Sequence, residues 1–235
     1  MGGAASHFAE TNWETADGGL KEASETFDGA KPVEEHSIFH LKKKNVVNQR
    51  ECEVRDEDDV LHYSTIATPG TTKDLNVLDK DGNKLYHVST DHARSKWEIY
   101  SYKSNFEGQT TAEKGELKVE EPLYHKACVT IAWDKYHGVI YVYQQSQEDT
   151  KGVLSKEPLI KVEEIKSITP QFQSFIPKQI PSLHTTLLGY WVREKTAKMD
   201  RIKMQLSKGT DIALHTILAV ITNLVQVERN SESCA

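Results

Sequence analysis

The stretch Asp211-Ile212-Ala213-Leu214-His215-Thr216-Ile217-Leu218-Ala219-Val220-Ile221-Thr222-Asn223-Leu224-Val225-Gln226-Val227 limits what this chain can fold into more than any other. It is apolar nearly all round, so it has no broad polar face of the kind a surface helix turns to water. Gly209-Thr210 precedes it, and Thr210 or Asp211 can accept hydrogen bonds from the first free backbone N–H groups of a helix. A transmembrane span wants about 20 predominantly apolar residues. This run is shorter and carries His215, Thr216, Thr222 and Asn223, which predicts a helix enclosed by protein instead. Its β-branched residues lower helix propensity, so the surrounding structure must stabilise it.

What surrounds it reads as strands. From residue 36 onward, short runs with period 2 recur between turn residues, at 38–41, 51–55, 75–78, 85–88, 97–102, 117–119, 128–133, 139–143, 159–165, 187–192 and 202–206. Asp79-Lys80-Asp81-Gly82-Asn83 separates two of them, and an Asp-Gly pair supplies the positive φ angles of a tight hairpin. Related patterns lie at residues 54–61 and 133–140, so an antiparallel meander is expected. Ile202, Met204 and Leu206 alternate with Arg201, Lys203 and Gln205, giving a wall with one buried face and one wet, partly basic face. Residues 68–72 and 169–181 hold Pro69, Pro170, Pro177 and Pro181 and read as connections.

Residues 1–35 differ in kind. Large apolar residues are few and aperiodic there, and the stretch reads as a disordered tail. Its eight acids, Glu10, Glu14, Asp17, Glu22, Glu25, Asp28, Glu34 and Glu35, against Lys21 and Lys31 leave −6, which equals the net charge of the whole chain. The remainder balances 27 basic with 27 acidic groups, so it presents no global field for nucleic acid. Cys52, Cys128 and Cys234 lack CxxC spacing, and no secretory leader opens the chain, so a cytoplasmic location is expected.

Met1-Gly2-Gly3-Ala4-Ala5-Ser6 fits the myristoylation pattern, with Gly2 the acceptor once Met1 is removed. One myristoyl chain binds membranes only marginally, with a constant on the order of 10⁴ M⁻¹, so stable attachment needs a second signal. The acidic tail would be repelled by an anionic leaflet. Two basic groups can supply the second contact: Lys42-Lys43-Lys44, and the set Arg193, Lys195, Lys198, Arg201 and Lys203.

Asp79, Asp81 and Asn83 have the first three spacings of a calcium loop. Lys84 stands where that loop needs Gly, and Thr90 where it needs a bidentate Glu, so a hairpin turn is expected. His36 and His40 fall where an entering strand is expected, and no HExxH occurs. With no GxSxG, phosphate loop or GxGxxG, neither an enzyme nor a cofactor or metal site is expected.

Asn76-Val77-Leu78-Asp79-Lys80-Asp81-Gly82-Asn83-Lys84-Leu85-Tyr86, Trp97-Glu98-Ile99-Tyr100, and Met204-Gln205-Leu206-Ser207-Lys208-Gly209-Thr210-Asp211-Ile212-Ala213-Leu214 together resemble the tubby-like superfamily. The likeness is closest to LURP-one-related proteins and more distant to phospholipid scramblases, and it covers residues 36–228. It implies a mainly β (α+β) fold, a closed antiparallel β-barrel of about twelve strands around a buried C-terminal helix, followed by a tail at 229–235. Tubby proteins bind phosphoinositides through basic side chains on the barrel wall, scramblases are proposed to move lipids, and LURP-one-related proteins are linked to plant defence. The expectation is a monomeric, non-enzymatic, membrane-associated module that contacts anionic lipids or a membrane protein in an adaptor or signalling role. A scramblase-like lipid transporter and a soluble protein-interaction module are the alternatives.

Overall fold

The computed structural model describes residues 37–43, 50–71, 74–91, 95–104, 107–112, 121–133, 138–144, 160–165, 171–175, 187–195, 200–206 and 209–232. Twelve strands run β1 Ser37–Lys43, β2 Cys52–Asp56, β3 Leu61–Ala67, β4 Leu75–Asp79, β5 Lys84–Thr90, β6 Lys96–Ser101, β7 Tyr124–Trp133, β8 Gly138–Gln144, β9 Ile160–Ile165, β10 Gln171–Phe175, β11 Leu187–Lys195 and β12 Asp200–Leu206. Each pairs antiparallel with the next, and β12 returns to β1, closing the barrel. Closure leaves no unpaired edge and creates an enclosed space for an apolar element.

Alternation sorts the side chains. Phe39 and Leu41 on β1 stand beside Met204 and Ile202 on β12. Val77, Tyr86, Val88, Trp97, Ile99, Val129, Ile140 and Val162 carry the same buried face around the ring. Against it lies α1, Ile212–Glu232, 21 residues and so about 31 Å long at 1.5 Å per residue. Leu214, Ile217, Leu218 and Ile221 on α1 are fully buried, and the helix is the only one among the described residues. It continues past Val227 to Glu232, which shortens the expected tail at 229–235. No helix among the described residues is long and apolar enough to cross a membrane.

The expected hairpin at Asp79 forms. Asp79 Oδ1 accepts from the N–H groups of Asp81 and Asn83 at 2.9 and 2.8 Å, Asn83 Nδ2 donates to Oδ2 at 2.9 Å, and Gly82 takes φ +86°. Both carboxylate oxygens are thus used by the turn itself. The expected strand at 117–119 lies outside the described residues.

Two strands depart from the sequence reading. β10 falls inside residues 169–181, read there as a connection, and β3 went unseen beyond its first residue. In β10 the buried positions are Phe172 and Ser174, and in β3 they include Thr65 and Ser64, so neither shows a run of large apolar residues. The small polar Ser174 has a specific partner in the helix.

That partner is His215. Its Nδ1 lies 2.9 Å from the carbonyl oxygen of Asp211, which can only accept, so Nδ1 carries the proton. Nε2 is then an acceptor, and Ser174 Oγ, 2.8 Å away, donates to it. Burial pushes His215 down to about 4, which keeps this neutral tautomer. Gly189 gives the ring its space: a Cβ there would meet His215 Cδ2 at 2.9 Å and Leu206 Cδ2 at 2.7 Å. Asp211 caps the helix by accepting the N–H of Leu214 at 2.8 Å, and Trp191 Nε1 donates to Thr222 Oγ1 at 3.0 Å.

Candidate functional site

The pairing of β1 with β12 joins two basic segments that lie far apart in sequence. Lys42 stands opposite Arg201, and His40 opposite Lys203. On the flanks, Arg55 of β2 lies opposite His40, and Glu194 of β11 opposite Arg201. The outer wall therefore carries one row Arg55, His40, Lys203, and a second row Glu53, Lys42, Arg201, Glu194. At about 4.8 Å between strands, each row spans roughly 10 to 15 Å.

Acids temper this wall. Lys42 pairs with Asp59, Arg201 Nε with Glu194 at 2.7 Å, and Arg55 with Glu53 at 2.9 Å. These pairs are exposed or half-buried, and such pairs contribute only about 0 to 1 kcal/mol, so their cations can exchange partners at little cost. Lys203 has no salt-bridge partner among the described residues. Burial, reinforced by the Arg201 and Lys203 cations, holds His40 below the ordinary imidazole value despite Glu194 and Glu57. The second row is balanced, and the first is not.

Lys43 and Arg193 were grouped by sequence with these cations, but they turn the other way. Both bind Asp200: Lys43 Nζ at 2.9 Å, and Arg193 through Nε and Nη2 at 2.9 and 2.7 Å. The Arg193 hydrogen bond, with Lys43 beside it, holds Asp200 down to about 2. Arg193 lines a recess at the barrel mouth with Trp191, Thr222, Asn223 and Gln226, and its volume of about 10 Å³ suits roughly one water. This trio clamps β1, β11 and β12 where the helix leaves, so its cations serve the fold. Of the remaining expected site residues, Lys195 is placed only by its backbone pairing with Asp200. Gly2, Lys44 and Lys198 lie outside the described residues.

A second polar cluster, on the outer face of β4 to β7, was not foreseen. His87 is fully buried and its Nδ1 lies 2.9 Å from Asn76 Oδ1, which also accepts from Tyr102 Oη at 2.8 Å. Burial pushes His87 down to about 4. Nearby, His125 Nε2 and Glu98 Oε2 lie 2.5 Å apart, and Lys96 reaches the same carboxylate. Burial opposes the charge on Glu98, yet these two partners hold its pKa below the usual value. The histidines sit on alternate positions of ordinary-looking strands, so only the cross-strand register could have disclosed the grouping. No group of three or more His, Cys, Asp or Glu side chains suited to a metal ion occurs among the described residues.

No family model matches the chain, and no curated protein matches it. Among solved structures, the X-ray structure of a protein from Arabidopsis thaliana, AT5G01750, superposes with a TM-score of 0.53. The match covers 83% of this chain and 94% of that one at 12% sequence identity. At that identity the two share the barrel fold.

Proposed function

We propose that this protein is a non-enzymatic membrane-docking module of tubby-like, LURP-one-related type, in which Gly2 bears a myristoyl anchor and the β1/β12 wall supplies the second contact. The observation that carries the reading is the alignment of Arg55, His40 and Lys203 abreast on three neighbouring strands, with Lys42 and Arg201 in the adjoining row. An acyl chain alone gives a constant on the order of 10⁴ M⁻¹. Each basic side chain near an anionic leaflet adds about 1 kcal/mol. Anchor and wall together therefore give stable binding where either alone gives transient contact. The ligand is an anionic lipid surface at the cytoplasmic face of a membrane.

Mass spectrometry of the N-terminus of protein from eukaryotic cells, with vesicle flotation of wild type and Gly2→Ala, tests this. An acylated Gly2, and flotation that collapses in Gly2→Ala, is the expected result. An unacylated terminus with equal flotation of both proteins contradicts the anchor.

A further inference from the structure

The row Arg55, His40, Lys203 sets one titratable side chain between two permanent cations, on three adjacent strands. We propose that His40 is the proton-linked headgroup contact of this wall: it binds a lipid phosphate as an imidazolium between Arg55 and Lys203, with Gln205 accepting its second N–H, so that docking takes up a proton from solvent. The inference rests on the docking reading for its ligand and deepens it by naming the residue that responds to the headgroup charge.

Two buried atoms on this wall lack partners. Neither His40 Nδ1 nor Gln205 Oε1 has a hydrogen-bond partner among the described residues. Lys203 of β12 stands opposite His40 of β1, and Gln205, two residues further on, stands opposite Ile38. His40 and Gln205 are therefore diagonal neighbours on one face, within reach of each other's side chains. The Gln205 oxygen can only accept, and so can Nδ1 of a neutral imidazole whose proton sits on Nε2. A proton on Nδ1 turns one orphan into a donor for the other, and both unmatched atoms are satisfied together. His40 is itself part-exposed, which leaves Nε2–H for a ligand.

Charge decides when that proton binds. Arg201 and Lys203 of β12 and Arg55 of β2 surround His40, with Glu57 just past β2 and Glu194 on β11 as the nearby acids. Lys42, on its own strand, is taken by Asp59, and His62 of β3 by Asp56 at 2.8 Å. Burial and the Arg201 and Lys203 cations outweigh Glu194 and Glu57 and hold the free imidazole below its ordinary value. A phosphate bound by Arg55 and Lys203 reverses the balance, because an anion within about 4 to 6 Å favours the charged ring. Arg55 gives up Glu53 for it at little cost, since the pair is half-exposed. The free wall thus carries two cations in this row and the docked wall three. By linkage, what binds with a proton binds more tightly as pH falls.

Two measurements on the full chain test this. In the first, wild type, His40→Gln and Gln205→Leu bind vesicles with roughly 30% phosphatidylserine between about pH 7.5 and about pH 5.5, across the ordinary histidine range. Wild type is expected to tighten severalfold more than either variant over that interval; titration of all other groups is common to the three proteins. A pH profile identical to wild type in either variant, with anionic vesicles still bound, overturns the inference and leaves the docking reading standing. In the second, the His40 ring is titrated by NMR in wild type, alone and with monomeric short-chain phosphatidylserine. Its midpoint is expected to rise with the lipid, and to rise less with inorganic phosphate at equal concentration. An unchanged midpoint, or an equal rise with inorganic phosphate, overturns the inference. Should wild type bind anionic vesicles no better than neutral ones at any pH, the docking reading falls, and the ring titration alone then sustains or overturns the His40 contact.

Discussion

At the scale of single residues, the barrel interior is specified as much by what is small or polar as by what is large. Gly189 is the sharpest case, since any Cβ there drives into His215 and Leu206. Gly189→Ala is expected to destabilise the protein by about 1 to 3 kcal/mol through overpacking, read from urea unfolding. A stability equal to wild type would show that the helix does not seat as described. Titration offers a second handle. His87 and His215 are both pushed by burial to about 4 from an ordinary 6.5. Their neutral forms support the fold above pH 6.5, and that support is lost as pH falls from 6.5 towards 4, because the unfolded chain takes up protons the barrel refuses. Asp211 acts with the opposite sign. Burial raises it to about 7, against backbone hydrogen bonds and Lys126, so stability falls as pH rises from 3.8 to 7. Asp211→Asn keeps the cap and removes the charge. Its melting temperature relative to wild type should therefore rise between about pH 5 and about pH 8, and a constant or shrinking difference would contradict the buried, neutral carboxyl.

At the scale of elements, legibility followed the size of the apolar signal. The helix announced itself because residues 212–223 of α1 are all buried, and β4, β5 and β6 because Leu75, Val77, Tyr86, Val88, Trp97 and Ile99 mark one buried face each. β10 stayed hidden because one of its inward positions is Ser174, chosen for a hydrogen bond to a helix 41 residues away in sequence. No local pattern can display a partner so distant. The same holds for the wall: the basic segments around residues 42 and 201 were visible separately, but only the β1/β12 register makes them one surface and sets Lys43 and Arg193 apart with Asp200. Helix and barrel are also joined by Trp191 of β11, whose Nε1–H has Thr222 as acceptor. Thr222→Val leaves that buried donor unmatched and is expected to cost about 1 to 3 kcal/mol. A neutral effect, measured by thermal unfolding, would mean that the indole finds another acceptor.

At the scale of the whole molecule, charge is divided between a neutral remainder and an acidic leading stretch of sequence, and the β1/β12 wall carries Lys203 with no salt-bridge partner among the described residues beside the ion-paired Lys42, Arg55 and Arg201. A fold that hides its apolar helix keeps its exposed surface for binding, which is why the docking reading turns on that wall and on Gly2 instead of on the helix. The decisive measurement is the affinity of full-length wild type and of Lys42→Gln/Arg201→Gln/Lys203→Gln for neutral vesicles and for vesicles with roughly 30% phosphatidylserine. The account predicts that anionic vesicles bind wild type more tightly, and that the triple variant loses on the order of 100-fold, three side chains at about 1 kcal/mol each. Equal affinity of the two proteins for anionic vesicles would contradict it.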